Sequence, residues 1–144
     1  MQLGLLYQAQ AKLDAAIPEF SNAIQISPNN ALAHALYGKA LEQAGRKQEA
    51  AASYHRSLSL EKGNPSVMNN LAYLTAEIGG DLDEALRLSR RAVEKDPNPE
   101  FKDTLGWVYL KKKDRGAALH IFQALARQQP GNPVFRSHLA MASN

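Results

Sequence analysis

The chain has 144 residues and a formal net charge of +3, enough length to bury a core without a covalent staple, and it has no cysteine, which excludes disulfides, thiolate zinc sites and thiol nucleophiles. Its 23 Ala and 19 Leu against 4 Val, 5 Ile and 2 Thr favour helix formers over strand formers, so an all-α protein is expected. No stretch approaches the roughly 18 apolar residues of a membrane span, and residues 1–10 lack the basic start and apolar run of a signal peptide; a soluble, cytoplasmic chain is expected.

In chain order, the pattern predicts helices at about 1–11, 14–27, 31–44, 47–61, 65–78, 82–95, 99–112, 115–128 and 133–142, four pairs and one extra helix. Pro18 falls near the start of the second helix, where its missing amide is tolerable if Asp14 is the cap. Asn30, Asn64, Asn98 and Asn132 read as N-caps, the last three followed by Pro in the first helical position. Gly45, Gly63 and Gly79 stand where helices should stop. The acids Asp81, Asp83 and Glu84 open one helix and Lys111, Lys112 and Lys113 end another, each complementing the helix dipole. An anion-binding lysine patch is the minority alternative.

A repeat underlies these elements. Small residues recur at Gly4, Gly38, Ala72, Gly106 and Ala140, always 34 apart and always preceded by a larger side chain. A second ladder joins Ala16, Ala50, Ala85 and Ala118, each followed four residues later by Phe20, Tyr54, Ser89 or Phe122. A small residue on one helix lets the neighbouring helix approach, and the aromatic on that neighbour fills the space between them. Neither helix can bury its face alone, so the repeats must stack into a single domain spanning 1–144, with repeats at about 1–30, 31–64, 65–98 and 99–132 and a terminal helix at 133–144.

The segments Leu3-Gly4, Tyr7, Ala16, Phe20, Ala23, Pro28 and Leu105-Gly106, Tyr109, Ala118, Phe122, Pro130 resemble the tetratricopeptide consensus, and the resemblance covers essentially the whole chain. It implies a right-handed superhelical solenoid of antiparallel helix pairs whose first helices line a concave groove for an extended peptide or a partner helix. Carried onto this sequence, that groove holds Lys39, Asn69, Asn70, Tyr73, Glu77, Asp103, Trp107 and Lys111. One subgroup of the family grips chaperone C-terminal carboxylates with a Lys, Asn and Arg clamp. Asn70 and Lys39 match it, but Ala35, Glu100 and Thr104 stand where the remaining clamp residues should be, so chaperone-tail binding is not expected.

No phosphate loop, nucleophile elbow or paired-carboxylate cleft is present, and no two of His34, His55, His120 and His138 have helical metal-site spacing. A non-enzymatic protein-protein interaction scaffold without cofactor or metal is therefore expected. The alternative is an RNA-binding helical repeat of the pentatricopeptide kind, but a period of 34 and acids at Glu42, Glu77 and Asp103 argue against a nucleic-acid groove. Trp107 reads equally well as a groove anchor or as packing between repeats. The first helix starts three residues before Gly4, and the last carries Val134, Phe135, Leu139 and Met141; homo-oligomerisation through these terminal helices is expected.

Overall fold

The computed structural model describes the backbone of residues 2–144 and the side chains of residues 10–144. Among the described residues there are eight α-helices and no strand: α1 (Gln2–Ile26), α2 (Ala31–Gln43), α3 (Lys47–Leu60), α4 (Pro65–Glu77), α5 (Leu82–Lys95), α6 (Pro99–Lys111), α7 (Arg115–Gln128) and α8 (Pro133–Ser143). The chain forms two compact units, Met1–Val67 and Met68–Asn144.

From α2 onward the helices keep the bounds read from the sequence to within a residue, because a side chain caps every N-terminus except that of α3, where Arg46 makes no such bond and the preceding Gly45 turn sets the start. Asn30 accepts from the Ala33 amide at 3.0 Å, Asn64 from Ser66 at 3.0 Å, Asn98 from Phe101 at 3.0 Å and Asn132 from Val134 at 3.0 Å. Asp81 and Asp114 cap α5 and α7 in the same way. Each such cap is worth about 1 kcal/mol relative to alanine.

The turns inside the helix pairs share one geometry. Arg46 N–H donates to Leu41 C=O, Gly80 N–H to Thr75 C=O and Asp114 N–H to Tyr109 C=O, each at 2.9 Å and each reaching back five residues. This Schellman closure needs a left-handed residue just before the donor. That residue is Gly45 (φ 79°), Gly79 (φ 71°) or Lys113 (φ 66°), again 34 apart. Lys113 lacks glycine's freedom, and a side chain in this region costs about 1–2 kcal/mol. Lys113→Gly should therefore raise stability by about 1 kcal/mol, measurable as an increase in denaturation midpoint with unchanged slope.

Thirty-four residues before Gly45 stands Ala11, and here the structure departs from the expected pair of helices. Residues 2–26 form one continuous α1. Alanine is the best helix former and a poor left-handed residue, and Lys12 offers no side-chain cap, so nothing stops the helix. Asp14 is consequently not a cap; it lies inside α1 and accepts a hydrogen bond from Gln10 Nε2 at 2.9 Å. Pro18 is also interior to the helix, where it leaves one carbonyl of the preceding turn without its amide.

Within each unit the ladder residues do the packing. A Cβ added at Gly38 would lie 2.8 Å from the Tyr54 ring, and one at Gly106 would lie 2.6 Å from the Phe122 ring. Tyr54 and Phe122 are in turn fully buried. Tyr54 Oη also donates to Glu42 Oε1 at 2.8 Å, and Ser57 Oγ to the Ala31 carbonyl at 2.8 Å, tying α3 to α2. In the second unit Phe122 joins Ala118, Leu125, Phe135 and Ala142 in one cluster, so α8 closes the core against α7. Phe135 is thus interior, and of the four apolar residues noted on the last helix only Val134 and Met141 are exposed, each at 51%.

Candidate functional site

The helices α4, α6 and α8 place residues of the same register side by side: Asn69 with Asp103, Asn70 with Thr104 and His138, Tyr73 with Trp107. All of these belong to the second unit. The Tyr73 and Trp107 rings stack with centroids 6.5 Å apart, and Trp107 stacks on His138 at 5.0 Å. The Lys111 amine lies 4.7 Å from the indole centroid, close enough for a cation–π attraction. The three rings form a continuous aromatic rail across the alternate helices α4, α6 and α8.

Polar contacts hold the rail in place. Tyr73 Oη donates to Glu77 Oε1 at 2.9 Å, one turn along the same helix. His138 Nδ1 is 2.7 Å from Asp103 Oδ1, in a pair whose side chains are only 16% and 14% exposed. A carboxylate can only accept, so Nδ1 carries the hydrogen and the Asp103 side chain fixes the imidazole plane against the indole. Behind His138, at 5.3 Å, lies the Phe122 ring of the core. The small-residue packing of α6 on α7 therefore sets the position of the rail.

Beside the rail is a pocket of about 350 Å³, lined by Asn69, Asn70, Tyr73, Asp103, Asn132 and Phe135 among others. The Oδ1 of Asn69 on its wall has no hydrogen-bond partner, and neither has the indole Nε1 of Trp107. Both atoms are shielded from solvent, and a buried polar atom left in this state costs about 1–3 kcal/mol.

Of the eight residues assigned to the groove by resemblance, Asn69, Asn70, Tyr73, Glu77, Asp103, Trp107 and Lys111 fall within the second unit and lie on or beside this face. Lys39 lies in the first unit, on the wall of a separate groove between α1 and α2. The reading of the sequence missed His138 as a member of the site. Its signal was available, since His138 stands 34 residues after Thr104 and 68 after Asn70. Trp107 is half-buried, packed against the Tyr73 and His138 rings with the Lys111 amine over its face.

The three lysines at the end of α6 diverge instead of forming an anionic-ligand patch. Lys111 covers Trp107, Lys112 pairs with Asp83, and Lys113 occupies the turn. The Lys112 ammonium holds the Asp83 carboxyl below the usual carboxylate range. Among the described residues no three His, Asp or Glu side chains come together as a metal site, and no helix is long and apolar enough to cross a membrane.

The tetratricopeptide-repeat family model matches residues 1–66 and 79–133. The chain belongs to the tetratricopeptide-repeat family. Its fold is an all-α helical-repeat solenoid. Among curated relatives it is 32% identical over 100 residues to a peroxisomal targeting signal receptor of Candida glabrata, covering 69% of this chain. The chain spans 17% of that receptor's length. Among solved structures it is similar to MamA from Desulfovibrio magneticus (TM-score 0.83, 15% identity, 99% of this chain and 80% of that one). It is also similar to YrrB, described as a tetratricopeptide protein with an unusual peptide-binding site (TM-score 0.79, 19% identity, 99% and 73%). At these identities the structural likenesses establish the tetratricopeptide fold.

Proposed function

We propose that this tetratricopeptide chain is a non-enzymatic interaction module that binds an extended peptide or a helix of another protein on the face formed by α4, α6 and α8. The observation that carries the reading is the aromatic rail of Tyr73, Trp107 and His138 running beside a pocket walled by Asn69 and Asn70. The rings offer apolar area at little entropic cost, and an asparagine amide can both donate to and accept from a peptide unit. The family makes such binding the expected use of the fold, and a targeting-signal receptor among its relatives points the same way. The acids Glu77, Glu100 and Asp103 on this side disfavour a phosphate backbone as ligand and favour a partner of mixed charge.

Trp107 is the sole tryptophan of the chain and lies in the proposed site, so it reports on binding by its own fluorescence. Peptides selected from a random library against the wild-type chain should change its emission on titration. Asn70→Ala and Tyr73→Ala should each weaken those peptides by about 1–2 kcal/mol, roughly tenfold, while far-ultraviolet circular dichroism stays unchanged. Selected peptides that bind both variants as tightly as the wild type would place the interaction elsewhere.

A further inference from the structure

In the second and fourth repeats the aromatic of the ladder is sealed by the small residue of the preceding helix: Tyr54 (1% exposed) by Gly38 and Phe122 (0%) by Gly106. The corresponding pair in the first repeat is Gly4 and Phe20. Both lie on the unbroken α1, sixteen residues and therefore about 24 Å apart along the axis, so Gly4 cannot cover Phe20 of its own chain. Phe20 is correspondingly only half-buried. It lies in an open groove of about 370 Å³ between α1 and α2, with Leu13, Ala16, Leu36 and Ala40 on its walls. Leu36 is 41% exposed there. This is the place that a first helix fills in the other repeats.

We propose that the groove is filled by residues 2–11 of a second copy, in a reciprocal, two-fold exchange of the first helix. Three observations select this occupant. The segment carries Leu3, Gly4 and Tyr7 at the register of Leu105, Gly106 and Tyr109, so it has the sequence that the groove's geometry calls for. The turn that would fold it back on its own chain needs a left-handed residue or a cap, and Ala11-Lys12 supplies neither where Gly45, Gly79-Gly80 and Lys113-Asp114 do. A continuous α1 carries the segment away from its own groove, which is the arrangement from which two copies exchange an element at low cost. In the exchanged dimer Gly4 of each copy meets Phe20 of the other.

Sedimentation equilibrium of the full chain tests this directly. The wild type should self-associate as a dimer. Ala11→Gly/Lys12→Asp, which restores both the left-handed residue and the cap, should weaken dimerisation about tenfold or more by letting residues 2–11 fold back in cis. Gly4→Leu should weaken it as strongly by a different route, since a side chain at that position cannot approach the Phe20 ring. Circular dichroism confirms that each variant keeps its helix content. A wild-type chain that stays monomeric at millimolar concentration, or a dimer whose strength both variants leave unchanged, would overturn the exchange.

Discussion

Gly106→Ala is expected to destabilise the protein by about 1–2 kcal/mol, although alanine is the better helix former by about 1 kcal/mol. The sign is set by the space available. The added Cβ would stand 2.6 Å from a Phe122 carbon, and the ring, fully buried among Ala118, Leu125 and Phe135, has nowhere to go. Phe122→Ala should cost more, about 3–5 kcal/mol, by opening a cavity in the same place. The third repeat shows which combination is tolerated: Ala72 stands at the glycine position and Ser89 at the aromatic one, both with no exposed surface. Gly106→Ala combined with Phe122→Ser should therefore cost less than the sum of the single changes, with a coupling of about 1 kcal/mol or more in a double-mutant cycle by urea denaturation. Strict additivity would mean that the two ladders are not packed on one another. Because Phe122 backs His138, the Phe122 variants should also loosen the rail and weaken peptide binding.

Most of the fold was legible because several local signals agreed. Asn caps, Pro in the first turn, left-handed residues at the C-termini and a small-residue ladder of period 34 mark the same boundaries from α2 to α8. The first repeat shows the limit of that reading. Its ladder residues Gly4, Ala16 and Phe20 are in register, and they imply a hairpin that Ala11-Lys12 does not turn. A non-glycine at the turn is not decisive by itself, since Lys113 adopts the left-handed conformation with Asp114 capping the next helix. The deciding feature is the absence of both devices together, which a search for the repeat alone passes over. For the site, register brought Asn70, Tyr73 and Trp107 to one face, but the Asp103–His138 pair depends on the approach of α8 to α6 and on ring orientation. Sequence spacing does not specify either.

Trp107→Ala is expected to lower two quantities at once. Loss of the indole from its stack with Tyr73 and His138 should reduce stability by about 2 kcal/mol, below the 3–5 kcal/mol typical of a fully buried aromatic, because the residue is only partly buried. Peptide affinity should fall by about 2 kcal/mol or more as the centre of the rail is removed. Trp107→Phe separates the two effects. It keeps a stacked ring and removes a buried N–H that has no partner, so stability should change by less than about 1 kcal/mol. Affinity should still drop if the indole edge meets the ligand. A stability loss of about 4 kcal/mol for Trp107→Ala, with affinity intact in Trp107→Phe, would assign the residue to packing alone.

The central claim is that ligand binds on the face of α4, α6 and α8, and the Trp107 indole resonance tests it most directly. The chain has one tryptophan, so its two-dimensional nitrogen–proton spectrum contains one indole signal, unambiguous without assignment of the rest. On titration with a selected peptide, that signal and the side-chain amide signals of Asn69 and Asn70 should shift together along one saturation curve. A peptide that binds by calorimetry while the indole signal stays still, with shifts confined to α5 and α7, would contradict the assignment.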